Sequence, residues 1–403
     1  MQKHRPSNIT LATAIMLSPV ALTTVHADTI ENFLKDGTVY GNLNLRYESV
    51  SQDNALDDAS ALTLRTRVGY KTKAVNGFSA QVEFEDSRIV LGQGEFSVPP
   101  VGYQAGEYSV IADPETTELD QAFLQYQSDA VTVKLGRQVI ALDNQRFVGH
   151  VGWRQDRQTF DAATVIYAPN DKLNITYNYV TQRNRIFAQA ADLDSKDHLL
   201  TASYKTPIGK LTGYSYMLEV DNDTDNTLDT YGVSLDGAKT VGDNKLVYRV
   251  EFASQTNESG TNEFDTSYTL LEAGYVFSGI TAKVGYEVLG SDDGAAAFAT
   301  PLATLHKFNG FSDQFLGTPA QGLVDTYFMV KAKALGGTWT AKYHMFEADE
   351  AGDGGDDFGD EINLVYVKPI AKQTKIALKY ANYSAGDIKV DAEKLALWAT
   401  VAF

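Results

Sequence analysis

The chain has 403 residues, 43% of them hydrophobic, no cysteine, and a formal net charge of −18. Without disulfides it must be held by a large core or by a closed backbone ladder. Its acidity argues against nucleic acid as a partner.

The first element is a leader. Lys3 and Arg5 precede an apolar run from Ile9 to Leu22, and Val25-His26-Ala27 supplies a small-residue cleavage site. This is the pattern of a secretory signal. The run is shorter than the roughly 20 residues that a spanning helix needs. The reading is therefore a signal peptide over 1–27 and a single domain over 28–403.

After the leader, Asp28 to Lys35 leads into a strand from Thr38 to Ser49. Val39, Gly41, Leu43, Leu45 and Tyr47 share one face; Asn42, Asn44, Arg46 and Glu48 share the other. The next strand, Ala61 to Lys71, sets Leu62, Leu64, Val68 and Tyr70 against Thr63, Arg65, Arg67 and Lys71. Asn76-Gly77 then marks a tight hairpin. The third strand, Phe78 to Ser87, places Val82 and Phe84 opposite Gln81, Glu83 and Glu85.

The same alternation predicts about eighteen runs of roughly ten residues, the length of tilted membrane-spanning strands. The remaining centres are Phe123, Val133, Thr164, Tyr177, Ala202, Tyr214, Val233, Tyr248, Ala273, Val284, Phe328, Trp339, Leu364, Leu378 and Leu397. Short links such as Ser128-Asp129, Pro207-Ile208, Ser278-Gly279 and Gly336-Gly337 alternate with long ones. The long links span Arg88–Thr116, Ile140–Gln158, Thr181–Lys196, Gln255–Thr266, Gly290–Gly322 and Glu347–Asp360. Short turns at one rim and long loops at the other describe a bacterial outer-membrane barrel.

Aromatics recur near strand ends, at Tyr70, Tyr126, Tyr167, Tyr204, Tyr275, Phe277 and Tyr366, as in an interfacial girdle. The last strand carries Leu395, Leu397, Ala399, Val401 and Phe403 on one face. It resembles the C-terminal strand by which outer-membrane proteins are assembled. The fold class is thus all-β, an antiparallel up-and-down transmembrane barrel.

Charge placement follows from that fold. A cation on the lipid face at midplane costs about 2–4 kcal/mol. Arg46, Arg65, Arg67, Lys134, Arg249, Lys283 and Lys331 are therefore expected in the lumen, with Glu83, Glu85, Glu251, Glu272 and Glu287. The stretch from Val131 to Tyr167 concentrates Lys134, Arg137, Arg146, Arg154 and Arg157 around Trp153, against Asp143, Asp156 and Asp161. Strict alternation turns Arg137 outward, so a bulge at Gly136 is needed to bring it inside. Such a cluster could concentrate anions in the channel. Alternatively, lumenal glutamates could neutralise it, so that it serves only the shape of the wall.

Two acidic segments raise the question of calcium. Asp221, Asp223 and Asp225 begin an EF-hand-like run, but Asn226 replaces the turn glycine and Gly232 stands where the bidentate glutamate belongs. Gly352 to Asp360 carries Asp353, Asp356, Asp357 and Asp360. Solvated loops are the expected role, with weak Ca²⁺ bridging as the alternative, and no cofactor is expected. The histidines after the leader are His150, His198, His306 and His344, without hydrolase, metalloprotease or P-loop motifs. Gly92-Gln93-Gly94 is too short for a dinucleotide fingerprint. An enzyme is not expected.

GRQVIALDNQRFVGHVGWRQDRQTFDA resembles the strand–loop–strand core of the alginate-export family of outer-membrane barrels. FATPLATLHKFNGFSDQFLGTPAQGLVDTYF, from Phe298 to Phe328, is similar to a second block in marine members of that family. The resemblance implies an eighteen-stranded pore whose arginine-rich lumen passes polyuronate. It assigns that role to Arg137, Arg146, Arg154 and Arg157, with Asp161 as an orienting partner. Relative to a dedicated exporter the chain is more compact, and its lumen mixes Glu with Arg.

The expectation is an outer-membrane porin, monomeric or homotrimeric, among lipid and lipopolysaccharide. It would pass small hydrophilic solutes, anionic or acidic-sugar in character. The alternatives are a polyuronate exporter and a surface adhesion barrel whose acidic loops bind divalent ions.

Overall fold

The computed structural model describes residues 33–352 and 354–403; the leader expected over 1–27 and Asp353 lie outside them. Period-two alternation leaves each strand with one face that water solvates poorly and one that lipid solvates poorly, and a closed ring satisfies both.

The strands are β1 (Thr38–Gln52), β2 (Ala59–Lys71), β3 (Phe78–Glu95), β4 (Thr116–Gln127), β5 (Val131–Gln138), β6 (Thr159–Tyr167) and β7 (Leu173–Asn184). There follow β8 (Leu193–Thr206), β9 (Gly209–Glu219), β10 (Thr227–Val241), β11 (Asn244–Ser259), β12 (Asn262–Phe277) and β13 (Ile280–Leu289). A small hairpin, β14 (Ser291–Asp292) and β15 (Ala296–Ala297), precedes β16 (Leu323–Ala334) and β17 (Gly337–Gly352). The last are β18 (Gly355–Ala371), β19 (Thr374–Ser384) and β20 (Ala392–Ala402). Apart from the small hairpin they form one 18-stranded antiparallel sheet that β20 closes onto β1. Every predicted strand centre falls within one of these strands.

Faces follow the alternation. Leu124, Leu135 and Phe252 are 63%, 54% and 53% exposed on the outside, whereas Arg46, Glu85 and Glu251 are 1%, 2% and 2% exposed within. The molecule is polar inside and apolar outside, the reverse of a soluble domain.

Closure depends on a glycine. Gly41 and Phe403 exchange both backbone hydrogen bonds at 3.0 Å, so Phe403 is part of the seam. A side chain at Gly41 would run into the Phe403 ring and the Arg67 carbonyl. On the periplasmic side Asn76 and Gly77 take φ of 51° and 85°, the left-handed pair of a tight hairpin, and Val75 and Phe78 exchange hydrogen bonds across it. The end of each strand bearing a predicted girdle aromatic lies at this same rim.

Two of the predicted long loops are not loops. Between Gln255 and Thr266 the chain stays extended until Gly260-Thr261, and Glu347–Asp360 likewise continues β17 and β18 outward. Their polar alternation (Thr256 against Asp265, for example) supports ladders that project beyond the membrane. Arg88 also remains in β3.

Candidate functional site

β5 and β6 are only 8 and 9 residues long, so the chain leaves the wall at Gln138 and rejoins it at Thr159. The intervening segment crosses the bore. Its tight turn, closed by Leu142 N–H donating to Val148 C=O at 3.0 Å, presents polar side chains in several directions. On one side Arg146 Nε donates to Glu287 of β13 at 2.7 Å, and its Nη2 to Asn309 at 3.0 Å. Asp143 accepts from Lys210 of β9 at 2.6 Å and pairs with Arg249 of β11. Opposite, Arg154 Nη1 donates to both Glu48 oxygens of β1 at 3.1 Å. Gln155 reaches Asn44 and Thr63, and Arg157 binds Asp120 of β4 at 3.0 Å and Glu83 of β3 at 2.5 Å.

The segment 290–322 folds in from the facing wall and pairs with the first. Gly149 N–H donates to the Leu302 carbonyl at 2.8 Å, and Thr304 Oγ1 to Gln145 at 2.8 Å. Trp153 is the hub. It stacks on His306 at 4.7 Å, meets Trp398 edge-on at 5.2 Å, and lies 3.5 Å beneath the Lys379 ammonium. His306 is 2.6 Å from Asp313 through Nδ1 and 2.6 Å from Lys379 through Nε2, so neither ring nitrogen is free to act as a catalytic base. Asp313 also receives Arg154 at 3.1 Å and Lys394 at 2.8 Å.

Burial sets the electrostatics of these loops. It pushes the His306 imidazole down to about 3, because a further cation beside Lys379 and Arg154 has little water to solvate it. Burial alone would raise the Asp313 carboxyl, but His306, Lys394 and Arg154 hold it well below the usual carboxylate range. Asp156 has no such paired cation among the described residues. Burial, Glu85 and Glu118 push its carboxyl well above the ordinary value.

Most of the arginines singled out in the sequence are therefore spoken for. Arg46 binds Asp113 and the Trp153 carbonyl, Arg67 binds Glu85, and Arg249 binds Glu251 at 2.7 Å besides Asp143. Arg65 donates to Asn42 at 3.0 Å and to the Arg154 carbonyl at 3.4 Å. Lys283 pairs with Glu272 at 2.6 Å, and Lys134 lies 5.0 Å over the Phe123 ring. Of the two roles open to the basic cluster, cross-neutralisation describes this geometry.

Arg137 differs from its expected place. Gly136 takes φ of 121°, yet no bulge forms, since Ala122 and Asp161 stand opposite Arg137 in unbroken register on both sides. Arg137 keeps the parity of Leu135 and lies at the extracellular end of β5, donating to Asp161 at 2.7 and 3.0 Å. It is not in the lumen; both residues sit where the wall is shortest.

Below the crossing segments, toward the short-turn rim, remains a cavity of about 390 Å³. Its lining includes Arg249, Lys283, Lys307 and Lys342 with Phe308, Phe311 and Tyr327. Sequence reading passed over Lys307 and Lys342. The parity of β17, on which Lys342 and the buried His344 share a face, was the available signal. Asp113 and Asp313 sit in irregular segments and gave none. Among the described residues no group of three or more His, Asp or Glu side chains is placed to hold a metal ion.

A closed barrel of this strand count, crossed by basic segments, can be compared with known proteins. The sequence profile described as Alginate export matches residues 38–288, more than half of the chain. The chain belongs to the alginate export family. A search of curated proteins returned no match.

Among solved structures this family member is similar to Pseudomonas aeruginosa OccK9 (OpdG), with a TM-score of 0.71 and 14% identity over 93% of this chain and 100% of that one. Acinetobacter baumannii OccAB4 gives 0.70 and 14% over 92% and 99%. Pseudomonas aeruginosa OpdK, solved with vanillate, gives 0.70 and 13% over 92% and 99%. At these identities the likeness concerns the fold. Family and fold together make the chain an outer-membrane channel, set among lipid and lipopolysaccharide, of a non-enzymatic class.

Proposed function

We propose that this chain is a loop-narrowed diffusion channel for small hydrophilic solutes, with preference for anionic or acidic-sugar ones. The observation that carries it is the double anchorage of the crossing segment, by Arg146 on Glu287 and by Arg154 on Glu48. Removing one partner of a buried pair costs about 3–5 kcal/mol. A polymer wide enough to need the whole bore would have to break several such pairs together. A small solute passes beside the segment without breaking any.

The anionic preference rests on lysines rather than arginines. Among the described residues, Lys307 and Lys342 face the cavity without a carboxylate partner, and cations in a low-dielectric wall concentrate anions. Passage of polyuronate remains the second reading, favoured by the family match. The test is planar-bilayer recording under a salt gradient. A reversal potential on the anion side supports the proposal; cation preference overturns its anionic part, and a silent barrel overturns the whole.

A further inference from the structure

In the cavity below the crossing segments, the wall carboxylates already have partners. Glu272 accepts from Lys283 at 2.6 Å and from the Tyr327 hydroxyl at 2.8 Å. Glu287 is taken by Arg146 at 2.7 Å, Asp325 by His344 at 2.9 Å, and Asp236 lies 3.8 Å from Arg249.

Two ammonium groups are left over. Lys307 Nζ donates to the Asn144 carbonyl at 2.7 Å, and Lys342 Nζ stands 5.2 Å over the Tyr327 ring. Among the described residues neither has a carboxylate oxygen within 4.0 Å. Partial burial disfavours the Lys307 charge first, Lys342 and Arg249 add to that, and Asp143 opposes it, while the side chain itself stays open to water. An anion between the lysines would relieve it. Beside them Phe308, Phe311 and Tyr327 offer ring faces, and about 390 Å³ lies within the range of small-molecule sites, roughly 300–1,000 Å³.

We propose that Lys307 and Lys342 form an oxyanion subsite on the periplasmic side of the constriction. It takes the carboxylate or phosphate of a solute whose ring packs on Phe308, Phe311 and Tyr327. The proposal deepens the channel reading and rests on it for the route by which solute arrives. Sidedness follows from the strands, since Asp236, Glu272, Lys283 and Lys342 all lie toward the short-turn ends of theirs.

The test is calorimetric titration of the detergent-solubilised full chain with glucuronate, glucose 6-phosphate and glucose. Both anions should bind at least about tenfold more tightly than glucose, as charge-assisted hydrogen bonds require. The tighter of the two identifies the oxyanion. Lys342→Gln and Lys307→Gln should each weaken the anions about tenfold and leave glucose unchanged. Lys372→Gln, on a periplasmic turn outside the cavity, should leave all three unchanged. Anions binding no better than glucose, or binding that survives both lysine changes, overturns the subsite. Bilayer recording on the same preparation separates the two ideas. Conductance without lysine-dependent binding leaves the channel and removes the subsite; lysine-dependent binding by a silent barrel does the reverse.

Discussion

Arg154, in the segment that crosses the bore, donates from one nitrogen to both carboxylate oxygens of Glu48 on the first strand at 3.1 Å. The same guanidinium reaches Asp313 of the second inward segment at 3.1 Å. One side chain therefore ties the wall to both constricting segments. All three side chains are nearly inaccessible to water, which makes the charges costly to leave alone.

Arg154→Ala is expected to take one partner each from Glu48, which keeps Arg46 at 3.5 Å, and Asp313, which keeps Lys394 at 2.8 Å, and to destabilise docking of the segments by up to about 3–5 kcal/mol. Single-channel conductance should rise and become noisy while the barrel stays folded, as judged by heat-modifiable migration in gels. Arg154→Met with Glu48→Gln, which removes both charges, should restore part of the quiet behaviour. Conductance unchanged in Arg154→Ala would show that the tie does not hold the constriction.

His306 gives the docking a pH dependence. Released from the cage of Trp153, Phe311, Asp313, Lys379 and Arg154, its imidazole takes a proton near ~6.5; docked, it does so only near about 3. Between those values the undocked form binds more protons, so acidification favours undocking. Asp313 acts in the same direction from about pH 5 downward, since a released carboxyl takes its proton near ~3.9 while the docked one is held well below that. Open-channel noise should increase as pH falls from 7 toward 4. His306→Gln, which can still bridge Asp313 and Lys379, should flatten that change.

Asp156 predicts a gain. Its carboxyl accepts from Ala188 N–H at 3.1 Å but has no paired cation among the described residues, and burial with Glu85 and Glu118 pushes it well above the ordinary value. Above about pH 4 the unfolded chain releases this proton while the folded one keeps it, so stability declines as pH rises. Asp156→Asn should raise stability at neutral pH by on the order of 1 kcal/mol and do nothing below pH ~4. Urea unfolding at pH 4 and 8 distinguishes the two.

The seam predicts a loss. Gly41→Val places two methyl groups against the Phe403 ring and the Arg67 carbonyl, an overpacking worth about 1–3 kcal/mol. The yield of heat-modifiable barrel should fall, and removal of Phe403 should lower it further. Full assembly of both variants would mean that the terminal pairing is dispensable.

What the sequence showed, and what it did not, divides along a physical line. Strands obey a local rule: Leu43 and Leu45 against Asn44 and Arg46 declare two solvents within a few residues. The hairpin at Asn76-Gly77 is equally local. Arg154 and Glu48 are 106 positions apart, and nothing near either one announces the other. A basic loop in a sequence reads as free charge, whereas in space each of its arginines meets a carboxylate from a different strand. Arg137 failed for a related reason, since a glycine with positive φ need not be a bulge if both neighbours keep register. Lys307 and Lys342 matter because, among the described residues, they lack carboxylate partners, a property that only the assembled lumen has.

The most direct test is single-channel conductance of the full chain in planar bilayers, compared before and after Arg146→Ala and Arg154→Ala are combined. The account predicts small, steady steps for the natural sequence and larger, unsteady ones once both anchors are gone. Wide, steady conductance from the natural sequence, unaltered by the two changes, would contradict it.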